Sequence, residues 1–258
     1  SRRTLAAGDE GAGGQQTAVS MDFAKRITDN FGLEVGGTWL RMKSAEGVQR
    51  GFDNWGVGAK YQFLLDEAHE SIASVGVDWD IGRSGSKSIG AEDFSTFTPA
   101  IFAGKGFGDL PDSMQYLKPL AITGSVGIGI PSRASSGTID DDGEPSIERH
   151  PHTLGVGLAI EYSVPYLQSF VKDVGLREPF NRLVPVIELD MEKPLDRGGG
   201  RWTGTVNPGL LWAGRYIQLG IEAVIPVNSA TGGGTGVLMQ LHFFLDDIFP
   251  HGMGRPLA

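Results

Sequence analysis

The sequence predicts an all-β protein: an antiparallel, up-and-down transmembrane β-barrel of about twelve strands with one short periplasmic rim helix. Three observations carry this expectation. The first is the period of the apolar residues. Along 201–245, alternate positions hold Val206, Leu210 and Trp212, then Ile217, Leu219, Ile221 and Ile225, then Val237, Met239, Leu241 and Phe243. A repeat of two is that of a strand with one apolar face. The second is what fills the remaining positions: Thr203, Thr205, Asn207, Gln218, Gly220, Glu222, Gln240 and His242. A soluble sandwich needs bulky apolar residues on its inward faces. A barrel in lipid turns its apolar face outward and keeps a wet interior. The third is length: about eleven such segments of roughly ten residues suit tilted strands that cross a bilayer.

The elements follow in order. Residues 1–7 are read as the end of a first strand, since an even count is needed for antiparallel closure, and 9–14 as a glycine-rich turn. Strands are expected at 17–27 and 31–41, joined by a tight turn at Asp29-Asn30. After a polar loop at 43–54 come strands at 55–63 and 73–81. A second polar loop, 82–93, precedes strands at 94–106 and 120–130. The longest polar loop, 131–151, leads to 153–162. The stretch 166–182 breaks the alternation: Leu167, Phe170, Val171 and Val174 have helical spacing and Gly175 is a plausible stop, giving a helix over 168–174. A strand at 183–191 and the three above complete the set, and 247–258 reads as a polar tail. The whole of 1–258 is one domain.

Loop lengths alternate. Turns at Asp29, Asp66, Asp109 and Gly214 are short or tidy, while loops at Lys43, Gly82, Pro131, Asp196 and Ala230 are longer. Outer-membrane barrels keep short turns in the periplasm and long loops outside, which makes the C-terminus and the 168–174 helix periplasmic. Trp55, Tyr61, Phe63, Trp79, Tyr162, Trp202 and Trp212 fall near strand ends, as interfacial girdles do.

Composition bounds the function. Of 258 residues 40% are hydrophobic, and mean hydropathy is −0.11. A barrel tolerates both values because only alternate residues meet lipid. No apolar run of ~18 residues is present, so a helical span is not expected. There is no cysteine, which excludes disulfides, thiolate metal sites and a cysteine nucleophile. A net charge of −9 argues against a nucleic-acid partner. No apolar segment follows Ser1-Arg2-Arg3, so an exported chain would start here in mature or trimmed form.

The pleat points Asp22, Glu34, Asp78, Asp80, Glu161, Glu188, Asp190, Glu192, Glu222 and His242 inward, with Lys60 and Arg201 as counter-charges. Carboxylates lining a pore favour cations. Glu188, Asp190 and Glu192, together on one strand, make the best selectivity strip. A narrow lumen closed by paired charges is the competing reading. Asp140-Asp141-Asp142-Gly143-Glu144 offers oxygen ligands but lacks the full spacing of a calcium loop and reads as solvated. His150 and His152 stand two apart at a loop end and are not expected to hold metal. No serine–histidine motif, phosphate-binding glycine loop or carboxylate pair beyond chance appears, so neither enzymatic activity nor a cofactor is expected.

Three stretches carry a resemblance: FAKRITDNFGLEVG at 23–36, FDNWGVGAKYQFL at 52–64 and EYSVPYLQSFVKDVGL at 161–176. They resemble a bacterial outer-membrane transporter family related to barrels named for a phenol-degradation pathway (MetA-like). The resemblance implies passage of small, aromatic or hydrophobic molecules and supplies no catalytic residues. One departure stands out: such barrels commonly end on an aromatic residue, whereas here a further tail follows Phe243, Phe244 and Phe249. The expectation is a porin-like outer-membrane channel with lipid and a small solute as partners. Other envelope proteins are a further expected class of partner, through the extracellular loops or the rim helix. The alternative is a closed structural or adhesion barrel whose loops bind a partner.

Overall fold

The computed structural model describes residues 14–44, 47–139, 145–251 and 256. The expected strand end at 1–7 and the acidic run Asp140 to Glu144 lie outside these residues. Fourteen strands appear, beginning with β1 (Gln15–Arg26), β2 (Phe31–Ser44), β3 (Gly47–Phe52), β4 (Gly56–Asp66) and β5 (Ser71–Asp80). Next come β6 (Thr96–Gly106), β7 (Leu120–Pro131), β8 (Ser135–Ile139), β9 (Pro145–Arg149) and β10 (Thr153–Tyr162). The last are β11 (Leu183–Pro194), β12 (Thr203–Ala213), β13 (Ile217–Pro226) and β14 (Gly236–Phe243). Twelve of them form one sheet, in which β3 pairs with β2 beside the path β1-β2-β4-β5-β6-β7-β10-β11-β12-β13-β14. Each pairing is antiparallel, so sequence neighbours are spatial neighbours except across the β8–β9 hairpin.

β3 and β4 are two halves of one pass. Both pair with β2, Phe52 opposite Trp39 and Gly56 opposite Gly36. Three residues on one side face two on the other, which is a bulge. Asp53 and Asn54 at the bulge are buried. Asn54 donates from Nδ2 to the Glu92 carbonyl at 2.9 Å and accepts from the Gly85 amide at 2.9 Å. The bulge thus anchors the long 81–95 connection.

Counting β3 and β4 as one, the twelve strands make eleven passes. β1 and β14 therefore run in the same direction, and among the described residues no ladder joins them. A flat path would hold these edges ~48 Å apart, ten spacings of ~4.8 Å. Arg26 Nη2 nevertheless donates to Asp246 Oδ2 at 3.4 Å. The sheet curls far enough to bring Arg26, at the end of β1, to Asp246, three residues past β14, and among the described residues it is not closed.

Side-chain burial is inverted relative to a soluble sheet. Ile221 is 49% exposed, Leu158 39% and Met239 76%, whereas Glu222 and Asn207 are each 2% exposed. Val19, Leu33, Val57, Val77, Ile101, Val126, Ile187, Leu210 and Leu219 are also exposed. The apolar face is the convex one and the polar face is sheltered. On the polar face Leu40, Val186 and Leu211 are buried as well.

Two expected loops prove to be β-structure. The 43–54 stretch continues the β2–β3 hairpin, and the 131–151 stretch carries β8 and β9. Both are mostly polar, and the few apolar residues, such as Val48, Phe52 and Ile147, give no run of alternation to read. The expected 168–174 helix is displaced. Helix α1 (Val164–Tyr166) runs into a wider turn, Leu167–Val171, and Lys172 is extended. Ser163 caps it by accepting from the Tyr166 amide at 3.2 Å, and Pro165 suits the first turn. Gln168 then ties the strand-like return through the Leu176 amide and carbonyl. The tail starts with a short helix, α2 (Leu245–Ile248).

Candidate functional site: the polar face of the sheet

The ladders place the sequence-predicted residues Asp22, Glu34, Lys60, Asp78, Asp80, Glu161, Glu188, Asp190, Glu192, Glu222 and His242 on one face. Arg201 is different. It is exposed in the connection before β12 and lies on no strand. The acids form two patches rather than one ring. Asp22, Glu34, Asp78 and Asp80 lie on β1 to β5; Glu161, Glu188, Asp190, Glu192 and Glu222 lie on β10 to β13. Between them, β6 and β7 present Thr96, Thr98, Phe102, Thr123 and Ser125 on this face, with no acid.

Register explains how the carboxylates fit. Asp190 sits between Gly157 and Thr205, Glu188 between Ala159 and Asn207, and Glu192 between Gly155 and Thr203. Small neighbours on one side leave room, and polar neighbours on the other supply hydrogen bonds. Asn207 Nδ2 donates to Asp190 Oδ2 at 3.4 Å. In the first patch, Asp22 lies over Gly36 and Asp78 over Gly58, where an added Cβ would collide with the carboxylate oxygens. Ser20 and Thr38 hydroxyls meet at 2.9 Å above Asp22.

Lys60 does not serve as the counter-charge of the β11 strip. Its ammonium stands over the Phe102 ring, 4.0 Å from the centroid. The intervening β5 residue is Gly76, whose missing side chain lets the ring reach across. Such contacts contribute ~0.5–1 kcal/mol when exposed. Sequence separation hid this pair; the available signal was a phenylalanine among the threonines, alanine and glycine of its own face of β6. His242 is exposed on β14, its ring 4.8 Å from Phe244.

A second cluster caps the end of the sheet that carries the 81–95, 132–152 and 195–202 connections. Ile89 and Phe94 are buried there, and the His150 ring packs on Phe94 with centroids 3.9 Å apart. His150 Nε2 meets Ser136 Oγ at 2.9 Å, and Ser136 donates to Asp93 Oδ1 at 3.3 Å. Asp93 also binds Arg133 at 2.9 Å and Arg83 at 3.7 Å. With its one hydrogen on Asp93, the serine hydroxyl accepts from the imidazole. That is the reverse of a base-activated nucleophile. His150 and His152 do not converge. His152 donates from Nδ1 to Asp196 Oδ2 at 2.6 Å, and this bond holds the Asp196 carboxyl below the usual range. Among the described residues no three His, Cys, Asp or Glu side chains gather as a metal site.

At the opposite end, Lys105 and Lys118 hold Asp109 and Asp112 below the usual carboxylate range. The rim segment exposes Phe170 and Phe180. Trp212 Nε1 donates to the Pro179 carbonyl at 3.1 Å, tying the rim to β12.

The chain matches no protein-family model, and no curated protein matches it either.

Proposed function

We propose that this chain is a bacterial outer-membrane β-barrel for passive passage or capture of small solutes, with cations favoured. The observation that carries the reading is the inverted burial: an exposed apolar face across the sheet and a sheltered face of carboxylates, amides, hydroxyls and glycine. Soluble monomers rarely expose a continuous apolar surface of this extent. Lipid would cover it without cost.

Aromatic placement supports the same reading. Trp79 and Phe97 stack at one end with centroids 5.6 Å apart, and Trp202 stands at that end too. Tyr162 and Trp212 stand at the other. Trp202 and Trp212 are about ten residues apart, or ~33 Å along a strand, and a ~40° tilt brings this to ~25 Å, the height of a lipid-facing band. The end with the long connections would face outward and the C-terminus the periplasm. Closure takes one further strand, antiparallel to both β1 and β14. Kinship with the phenol-degradation-pathway barrels belongs to this proposal and rests on the three stretches quoted above. Enzymatic activity forms no part of it.

The two acidic patches would line the interior and favour cations. Purified protein in planar bilayers should conduct with cation preference. Replacing Glu188, Asp190 and Glu192 together by Gln should reduce that preference severalfold. Anion preference, or a preference untouched by the replacement, would refute the cation assignment. A second reading is a closed barrel whose loops bind a partner. It is favoured by Leu40, Val186, Leu211 and Glu222, all buried on the polar face. Absence of conductance from protein verified to be inserted would select it.

A further inference from the structure

The apolar face is not uniform. Near its outward end a recess of about 280 Å³ opens between Val156, Met191 and Trp202. It is the register that makes it. Val156 of β10 pairs with Met191 of β11, and Met191 pairs with Gly204 of β12. At Gly204 the apolar row lacks a side chain, and an added Cβ would fall 2.6 Å from the Met191 sulfur and 2.1 Å from the Asp190 carbonyl oxygen. Met191 leans into that space, and the ground between it, Val156 and Trp202 stays open.

One step toward the strand ends stands a cation. Lys193 is two residues beyond Met191 and shares its face, and its ammonium lies 5.9 Å from the centre of the Trp202 ring. A lysine on the lipid-facing side of a strand is costly at mid-bilayer and cheap near the interface, ~2–4 against ~0–1 kcal/mol. Beside a girdle tryptophan it sits at headgroup depth. The recess is small against the ~300–1,000 Å³ of ordinary ligand pockets. It takes a segment of one acyl chain rather than a whole solute.

We propose that Lys193, Trp202, Val156 and Met191 form a binding site for an acylated phosphate: a lipid whose phosphate meets the Lys193 ammonium while one chain enters the recess. Charge complementarity selects this occupant over a neutral lipid, since Lys193 is a cation on a chain of net charge −9. The site lies on the lipid side and rests on the membrane reading, but not on whether the interior conducts.

The test uses the full chain in phosphatidylcholine vesicles doped with brominated-chain phosphatidic acid or, in parallel, brominated-chain phosphatidylcholine. Bromine quenches nearby tryptophan, and the Trp202→Phe variant isolates the contribution of Trp202. The acidic lipid should be enriched at Trp202 about fivefold, the ratio that ~1 kcal/mol per basic residue gives near a charged headgroup. Lys193→Gln should bring the ratio to about one and Lys193→Arg should restore it. Val156→Phe, which fills the recess, should weaken quenching by both lipids. Equal quenching by the two lipids in the unaltered protein, or a preference that survives Lys193→Gln, would overturn the site. No quenching by either lipid would instead overturn the membrane reading on which it rests.

Discussion

Two regions of this molecule obey opposite burial rules within one chain. In the wall of the sheet, apolar side chains such as Leu158 and Ile221 are exposed and Glu222 and Asn207 are hidden. In the cap formed by the 81–95 and 132–152 connections, Ile89 and Phe94 are hidden, and Asp93, Arg83 and Arg133 are on the outside. The cap follows the water-facing rule, in which apolar area leaves solvent and charges stay in it. The wall shows the opposite pattern, the one the proposed membrane reading requires. The contrast matters because it is internal. A general tendency to expose apolar groups would have affected the 81–95 connection too, yet Ile89 and Phe94 are hidden there.

The sharpest way to break the comparison is to make the same kind of change in each region. Phe94→Ala should destabilise the cap by ~3 kcal/mol or more, the usual cost of emptying an aromatic site. Hydrogen exchange should then speed up at the Ile89 and Ala91 amides while amides of β12 and β13 stay protected. Leu158→Arg should cost the wall ~2–4 kcal/mol in a bilayer. An exposed Leu→Arg change in water is usually within ~0.5 kcal/mol. Urea unfolding in lipid vesicles measures this. A cost near zero would mean that Leu158 faces water, and the opposition of the two regions would disappear.

How far the sequence reveals each region follows from the same difference. The wall was legible because a strand with one apolar and one polar face shows a strict repeat of two, and 206–212, 217–225 and 237–243 each display it. The cap was not legible, since its contacts join residues far apart: Phe94 with His150, Asn54 with Gly85, Asp93 with Arg133. The far part of hairpin β2–β3 and hairpin β8–β9 are mostly polar, so they carry no alternation to read. The candidate site was legible in part. Alternation gave the face of each acid, but pairing order across strands decides grouping, and that order put β6 and β7 between two patches. Lys60 was assigned to a carboxylate because charge is visible in sequence; its approach to Phe102 across Gly76 depends on three strands lying side by side.

Smaller effects sharpen the comparison. Asn207→Leu removes a donor from the half-buried Asp190 carboxylate on the sheltered face and should cost ~1–3 kcal/mol, the range for a hydrogen bond to a charged group. The same apolar substitution on the other face, Gly204 excepted, should be nearly silent in lipid. If Asn207→Leu were stabilising, the polar face would be a dry core rather than a wet one.

The least effect is expected from acid, and on the cap side it should fall on Asp196. Asp196 accepts from the His152 ring at 2.6 Å and from the His152 amide at 2.8 Å, and the Leu195 amide returns a bond to the His152 carbonyl at 2.8 Å. These bonds hold the Asp196 carboxyl below its usual range, chiefly through the His152 side chain. A carboxyl lowered in the folded state contributes stability above its unfolded value, ~3.9, and loses that contribution as pH falls through the folded value. The 195–202 connection should therefore stay clamped at neutral pH and loosen below about pH 4. Exchange at the Leu195 amide reports it. Asp196→Asn should abolish the acid response and leave the connection loosened at every pH. The Asp196 side chain is substantially exposed, so the effect is local and salt-sensitive. The strand amides of β12, held by ladders on both sides, should show no change over the same range.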